Sequence, residues 1–334
     1  MKIILFDVEQ NEVETYQKLL ASTEQIECLA EPLNEESVSK ASEAEIVSVF
    51  VTSKITADMM KNMPHLKLIV CRSTGYDNVD TLAAKNNNIV VENAPNYGEH
   101  TVAEYAFMLL LALTRKLQGA TAQVNSGQID HTQLVGADLM GSTLGVIGAG
   151  KIGQRVIKIA KGFEMNVVAY DPYPNAEAAK ELGFEYVQLD ELYAQADVIS
   201  LHIPATPESK NMINAEVFKK LKKDTYLINT SRGDLVDNAA LIDALENGNV
   251  AGAGLDVLEG EAMIDIDHEL ALLKHPNNLE LKLSAELDIL EKMPNVILSP
   301  HNAYNTHQAL QRIRKSTADN IIGFINGEIK NQVN

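Results

Sequence analysis

Thr143-Leu-Gly-Val-Ile-Gly148-Ala-Gly150-Lys151-Ile152-Gly153 leads into a helical run that ends near Gly162, and Asn166-Val-Val-Ala-Tyr170-Asp171 follows. A short apolar run ends in G-x-G-x-x-G, an amphipathic segment comes next, and a second apolar run ends in an acid. That is a β-α-β unit of the length a dinucleotide site requires. Gly148 permits the tight turn out of the strand. Gly150 lets the backbone approach a pyrophosphate, and Gly153 lets the helix pack close to the strand. The helix start at Lys151 and Ile152 turns backbone N–H groups toward the anion. Asp171 can accept hydrogen bonds from the adenosine ribose and would repel a 2′-phosphate, which favours NAD over NADP.

The rest of the chain repeats this alternation. At 334 residues the length suits two domains, and 46% apolar residues can build sizeable cores. Before the fingerprint, strands are expected at Lys2–Phe6, Ile26–Leu29, Ile46–Val51, Leu68–Cys71 and Ile89–Val91. Helices are expected at Val13–Leu20, Glu35–Ala41, Ala57–Met63 and Asp80–Lys85. Alternating elements imply a parallel sheet covered on both faces, with ligands at the carboxyl ends of its strands. Two loops there attract attention, Phe50-Val-Thr-Ser53 and Arg72-Ser-Thr74-Gly75-Tyr-Asp77. Thr101 with Glu104 reads as a capping box for an apolar helix over Val102–Leu117. A helix apolar nearly all round is buried on most sides.

Beyond the fingerprint, further strands are expected at Val198–Leu201, Thr225–Asn229, Gly252–Val257 and Val296–Leu298. Between them lie helices at Asn175–Leu182, Glu191–Ala194, Ala215–Leu221 and Ala239–Asn247, with Asp190 and Asn238 as N-caps. A last helix, Gln308–Asn326, has nowhere to finish except back on the first domain. Polar residues follow several strands: His202-Ile-Pro204, Thr230-Ser-Arg232-Gly233 and Ser299-Pro-His301. Residues 262–294 are acidic and Leu-rich and carry no usable motif.

A net charge of −18 argues against nucleic acid and anionic membrane surfaces as partners. The longest apolar stretch, Ala106–Leu113, is far shorter than the ~18 residues of a membrane span. The beginning, Met1-Lys-Ile-Ile-Leu-Phe-Asp7, reads as a strand, without signal-peptide anatomy. Cys28 and Cys71, the two cysteines, read as reduced thiols in or beside apolar runs. A soluble cytoplasmic protein is expected, and the sequence nominates no metal site.

Six separated motifs now stand in order: Gly148-Ala-Gly150-Lys-Ile-Gly153, Tyr170-Asp-Pro-Tyr173, Leu201-His-Ile-Pro204, Asn229-Thr-Ser-Arg232-Gly233, Gly254-Leu-Asp256-Val-Leu-Glu-Gly-Glu261 and Pro300-His301. With them the chain resembles, from end to end, the D-isomer-specific 2-hydroxyacid dehydrogenases, most of all their D-lactate dehydrogenase branch. The resemblance implies two Rossmann-like or flavodoxin-like parallel-sheet α/β domains separated by an active-site cleft. Residues 1–100 with 300–334 would bind substrate, and residues 101–299 would bind NAD. It implies a homodimer built through the helix that starts near Thr101.

The resemblance also assigns roles. Arg232, Glu261 and His301 are the implied catalytic trio. A guanidinium suits the carboxylate of a 2-oxo acid, an imidazolium can protonate the developing alkoxide, and Glu261 can orient that imidazole. His202, Pro204, Thr230 and Asp256 would line the cofactor site. Thr74, Gly75, Tyr97 and Phe50 would meet the substrate, although the Phe50 loop departs from the D-lactate pattern. Pyruvate reduction to D-lactate is the implied reaction. A bulkier acid such as 2-oxoisocaproate, or hydroxypyruvate, is the alternative within the same chemistry. An NADH-sensing corepressor-type binding protein is the remote alternative outside it.

Overall fold

Short β-branched and aliphatic runs bounded by polar turns make strands here. A computed structural model of the chain describes residues 1–21, 23, 25–259 and 278–334. In the first part of the chain the elements run β1 (Lys2–Leu5), α1 (Gln10–Leu19), β2 (Gln25–Cys28), β3 (Ile46–Val49), α2 (Ala57–Lys61), β4 (Leu68–Cys71), α3 (Thr81–Asn86) and β5 (Val90–Glu92). The strands pair in the order β2-β1-β3-β4-β5, every pair parallel. That is the flavodoxin-like order. All residues of β3 and β4 are buried, as in parallel strands covered on both faces.

The next part opens with α4 (Glu99–Thr114) and α5 (Leu117–Asn125). It continues with β6 (Thr143–Ile147), α6 (Lys151–Gly162), β7 (Asn166–Tyr170), α7 (Ala176–Leu182), β8 (Glu185–Tyr186), α8 (Leu189–Gln195) and β9 (Val198–Leu201). Then come α9 (Ala215–Phe218), β10 (Thr225–Asn229), α10 (Asn238–Glu246), β11 (Val250–Leu255), α11 (Asn278–Lys292) and β12 (Val296–Leu298). These strands form a second parallel sheet, ordered β12-β11-β10-β9-β6-β7-β8. The strand sequence reverses direction between β6 and β9, which is the switch point of a doubly wound fold. A last helix, α12 (His307–Ile325), follows. The chain divides into one compact unit of Met1–Tyr97 with Asn305–Asn334, and another of Gly98–Tyr304.

The apolar character of α4 has a packing cause. A Cβ at Gly254 would lie 2.9 Å from Leu109 Cβ, so α4 rests directly on β11. Leu109, Leu110 and Leu113 of α4 share one cluster with Val156, Ile157 and Ala160 of α6. In the other unit, α12 buries Ala318 and Ile321 against Ile3, Leu5, Leu68 and Val70. Arg314 on α12 donates from Nε and Nη2 to Glu12 on α1, at 2.9 and 2.7 Å. The final residues then lie along β5, where Val333 N–H donates to Val91 O at 2.9 Å and Asn93 N–H to Asn331 O at 3.1 Å.

Local signals differ from the sequence reading at several points. The expected helix Glu35–Ala41 is only a 3-10 turn, Val38–Ala41. Asn34 Oδ1 accepts from the N–H groups of Glu36 and Ser37, and Ser37 Oγ donates to Pro32 O, so side chains take the bonds a helix would use. Thr101 does not cap α4. The helix starts a turn earlier, with Gly98 as N-cap and Val102 N–H donating to Gly98 O, and Thr101 is buried inside it. Asp237, not Asn238, caps α10 by accepting from Ala240 N–H at 3.1 Å. Asp190 lies in the first turn of α8 behind Gln188, where its charge suits the helix dipole and reaches Lys220 at 2.7 Å. Helix α5 and the two-residue strand β8 had no expectation.

Asn320 on α12 joins three parts of the first unit. It is fully buried, donates to Asn93 O at 2.8 Å and accepts from Asn331 Nδ2 at 2.7 Å. Substituting Asn320→Ala strands both partners, at about 1–3 kcal/mol for each unsatisfied buried group. Chemical denaturation should show a loss of about 2–4 kcal/mol. A loss below about 0.5 kcal/mol would mean the tail and α12 are held by other contacts.

Candidate active site

Because all seven strands of the larger sheet run parallel, the loops after them emerge at one edge. Along that edge the nominated residues follow the strand order. Asp171 comes after β7, the glycine loop after β6, His202 and Pro204 after β9, and Thr230 and Arg232 after β10. Asp256 follows β11 and His301 follows β12.

The glycine loop has the geometry its motif requires. Gly148 has φ 97°, and a Cβ there would lie 2.5 Å from His202 O. A Cβ on Gly153 would lie 2.0 Å from Gly148 O, so only glycine lets α6 start this close to β6. A Cβ on Gly150 would meet nothing within 4 Å, which leaves that face open for a ligand. Ile152 is half-buried, and exposed Lys151 pairs with Glu99 of α4 at 3.7 Å. Asp171 closes the loop: its Oδ2 accepts from Ala149 N–H and its Oδ1 from Tyr173 N–H, both at 2.8 Å. A carboxylate oxygen has two lone pairs, so these bonds leave acceptor capacity for a ribose.

His202 hydrogen-bonds through Nε2 to Ser200 Oγ at 2.8 Å. Its residue is partly exposed, but the ring is packed inward, and burial pushes its pKa down to about 4. The imidazole is therefore neutral near pH 7. Pro204 is exposed, and its carbonyl accepts from Ser209 Oγ at 2.9 Å. Thr230 Oγ1 is buried with no partner among the described residues. A buried hydroxyl without a bond is costly. On this edge it fits a site that takes a polar ligand, and with the glycine loop and Asp171 the residues present fit a dinucleotide.

Arg232 lies in a tightly tied turn. Asn229 Oδ1 accepts from Ser231 N–H at 3.0 Å, Asn229 Nδ2 donates to Arg232 O at 2.9 Å, and Arg232 Nη1 donates to Ser231 O at 2.8 Å. Gly233 must be glycine, since a Cβ there would lie 2.0 Å from the Leu258 carbonyl carbon.

Asp256 is 1% exposed and works beneath the loop that carries His301. Its Oδ1 accepts from Ser299 Oγ at 2.6 Å and Asn302 N–H at 2.8 Å, and its Oδ2 accepts from Ala303 N–H at 2.8 Å. Its backbone carbonyl accepts from His301 N–H at 2.9 Å. Burial pushes the Asp256 carboxyl up, against the opposing pull of those hydrogen bonds and of His301. The His301 backbone is left-handed, φ 49°, a strained region that the anchors on either side hold in place. The Tyr304 ring stands edge-on to the imidazole, with centroids 6.3 Å apart. Sequence reasoning missed the anchoring geometry of Asp256 and the presence of Tyr304. An acid placed directly after an apolar strand, Asp256 behind β11, is the signal that could have suggested the first. Glu261 lies outside the described residues.

The remaining nominees stand in the smaller unit. Phe50, Thr74 and Gly75 follow β3 and β4 at the carboxyl edge of the five-stranded sheet. Thr74 Oγ1 donates to Ala94 O at 3.2 Å, Asn93 Nδ2 donates to Thr74 O at 2.7 Å, and Ser73 Oγ donates to Gly75 O at 2.6 Å. The Tyr97 carbonyl accepts from Arg312 Nε at 2.7 Å. Among the described residues, no group of three or more His, Cys, Asp or Glu side chains could hold a metal ion, and no helix is long and apolar enough to cross a membrane.

Residues 107–303 match the model of the D-isomer specific 2-hydroxyacid dehydrogenase family's NAD binding domain. A 2-hydroxyacid dehydrogenase homolog from Zymomonas mobilis is 39% identical over 299 residues, covering 88% of this chain and 87% of that protein. A glyoxylate reductase from Thermococcus litoralis is 38% identical over 299 residues, covering 87% and 84%. The crystal structure of D-lactate dehydrogenase from Aquifex aeolicus, complexed with NAD and lactic acid, superposes with a TM-score of 0.90 at 34% identity, over 99% of each chain. With a family model across most of its length and relatives well above 30% identity, the chain belongs to the D-isomer-specific 2-hydroxyacid dehydrogenase family, as an NAD-dependent enzyme.

Proposed function

We propose that the enzyme reduces pyruvate to D-lactate, reversibly, at the expense of NADH. One observation carries the reading: the fingerprint glycines, Asp171, Thr230, Arg232, Asp256 and His301 follow one another along a single sheet edge. In this reading Gly98–Tyr304 is the NAD-binding unit, and Met1–Tyr97 with Asn305–Asn334 takes the substrate. The similarity to a D-lactate dehydrogenase over 99% of both chains supports pyruvate as the acid.

When bound, NADH supplies a hydride to the carbonyl carbon of the 2-oxo acid. The residues of the chain do the rest. Asp171 holds the adenosine ribose, and the start of α6 at Lys151, Ile152 and Gly153 holds the pyrophosphate. Thr230, His202 and Pro204 border the cofactor further along. Arg232 pairs its planar fork with the substrate carboxylate, aided by the backbone at Thr74 and Gly75. His301, as imidazolium, gives its proton to the oxygen that gains charge, and it takes a proton back in the reverse direction. Glu261 orients that ring. Asp256 acts one step removed, by fixing the loop on which His301 stands. Phe50 and Tyr97 meet the substrate's side chain.

NADH oxidation followed by absorbance, with pyruvate, glyoxylate, hydroxypyruvate, 2-oxoisocaproate and phenylpyruvate side by side, tests this. Pyruvate should give the highest kcat/KM, with D-lactate as the product on chiral analysis. His301→Gln should lower turnover by two orders of magnitude or more while NADH still binds. A preference for glyoxylate or a larger acid would keep the chemistry and replace the substrate. No turnover with any of these acids would overturn the substrate reading.

The same proposal includes a homodimer and a cytoplasmic setting. Two free thiols, Cys28 and Cys71, support a reducing compartment; burial pushes the Cys71 thiol up to about 12, so it is inert. For the dimer, Met108, Leu117, Val124, Ile129, Val135 and Met140 are exposed large apolar side chains within one stretch of the chain. Phe107, Met108, Leu111 and Leu117 line one apolar groove along α4. A second copy of this chain is its proposed occupant, since a surface this apolar is unusual on a monomer. Light scattering should give twice the chain mass, and Met108→Lys with Leu117→Lys should halve it. A monomeric wild-type protein would refute this.

A further inference from the structure

The turn after β3 is tied down from three other strand ends. Val51 and Thr52 of this turn are exposed. Yet the Asp7 carboxylate, from the loop after β1, accepts from Phe50 N–H at 2.8 Å, from Ser53 Oγ at 2.7 Å and from Thr52 Oγ1. Asn78, from the loop after β4, donates through Nδ2 to Phe50 O at 2.9 Å and to Ser53 O at 2.8 Å. Ser53 Oγ in turn accepts from Leu33 N–H at 2.7 Å. Both peptide groups of Phe50 and both ends of the turn are thus set by side chains from outside it.

Arg72 sits beneath this arrangement. It is 3% exposed, and no carboxylate pairs with it among the described residues. Its Nη2 donates to Phe6 O at 2.6 Å and Asp7 O at 2.8 Å, and its Nη1 to Ser48 Oγ at 3.2 Å. The guanidinium carbon lies 5.8 Å from the Phe50 ring centroid and 5.9 Å from that of Tyr16. One cation therefore fixes the peptide of Asp7, whose backbone is left-handed at φ 53°, and faces the Phe50 ring as a cation–π partner. Burying a guanidinium without a carboxylate is costly, and packing alone would be served better by an apolar side chain.

We propose that Asp7, Arg72 and Asn78 are positioning residues that lock the Phe50 ring and so determine which 2-oxo acid side chains the enzyme accepts. This rests on the proposed reduction of 2-oxo acids, with Phe50 at the substrate's side chain. Hydrophobic contacts discriminate one methylene by only about 10–200-fold, and only when the wall they touch is fixed. A ring held at its backbone and across its face is such a wall. A ring on a loose turn would accept small and large acids more evenly.

The test uses glyoxylate as an internal reference, because its side chain is a single hydrogen that cannot reach a side-chain wall. NADH-dependent kcat/KM is measured for glyoxylate, pyruvate, 2-oxoisocaproate and phenylpyruvate on the wild type and on Asp7→Asn, Asn78→Ala and Arg72→Lys. Each variant should keep glyoxylate within about threefold while the pyruvate to phenylpyruvate ratio moves at least tenfold. Arg72→Lys retains the charge but not the planar fork, so it should move with the others. Circular dichroism checks folding, and Asn78→Ala, at a half-buried surface position, decides the matter if Asp7→Asn does not fold. Unchanged ratios, or an equal fall for all four acids, would overturn the proposal by leaving these residues a purely structural role. A wild type that reduces none of the acids would overturn the substrate reading first, before any variant is compared.

Discussion

Everything at the larger sheet depends on parallel pairing. When seven strands run the same way, every return segment must cross the sheet, and every loop that follows a strand comes out at the same edge. The reversal between β6 and β9 then sends one crossover to each side and parts the loops at the glycine turn. The contact that makes this turn possible is very tight. At 2.0 Å from Gly148 O, a Cβ on Gly153 could exist only if α6 moved away from β6. The first turn of α6 would then leave the strand end, and the helix dipole would no longer point at a ligand lying across the edge.

A second constraint is the way polar groups at the edges are anchored. Asp256, Arg72 and Asn320 are each buried, and each holds separate pieces of backbone together. Asp256 joins the end of β11 to residues 299–303. Arg72 joins the end of β4 to the end of β1. Asn320 joins α12 to the end of β5 and the tail. Apolar contacts could supply more stability for the same volume, because a net hydrogen bond contributes only about 1 kcal/mol. They could not dictate where a loop's peptide groups point. The left-handed backbones of Asp7 and His301 both occur beside such anchors, so local strain and polar anchoring come together at the loops that carry candidate chemistry.

The large features were legible in the sequence because they arise from local rules. The strands Thr143–Ile147, Asn166–Tyr170, Val198–Leu201 and Thr225–Asn229 were readable residue for residue, since buried parallel strands are short apolar runs cut off by polar turns. The glycines were readable because each meets a steric demand no other residue meets. Helix caps were less so. Thr101 and Asn238 are good caps by type, yet the chain entered α4 at Gly98 and used Asp237 for α10. Where several capping residues adjoin, the path of the preceding loop decides among them. Asn34 and Ser37 show the same competition, with side chains outbidding a helix for backbone donors. The anchoring roles of Asp7, Arg72 and Asn78 lay beyond any local reading. They depend on three strand ends meeting, and sequence separations of 43 and 65 residues carry no local signal.

Charge poses the last question, because a chain with a net charge of −18 is asked to hold two anions, a dinucleotide and a carboxylate. Over distances beyond the Debye length of about 8 Å the net charge is largely screened. What an anion meets at close range is a helix start, N–H groups and a few guanidinium groups. Arg232 stands just past β10 at the carboxyl edge of the larger sheet, with Nη1 donating to a backbone carbonyl of its own turn. At the glycine loop that close-range field comes from the start of α6 and its N–H groups, and it allows anion recognition on a strongly acidic protein without any change in the overall balance.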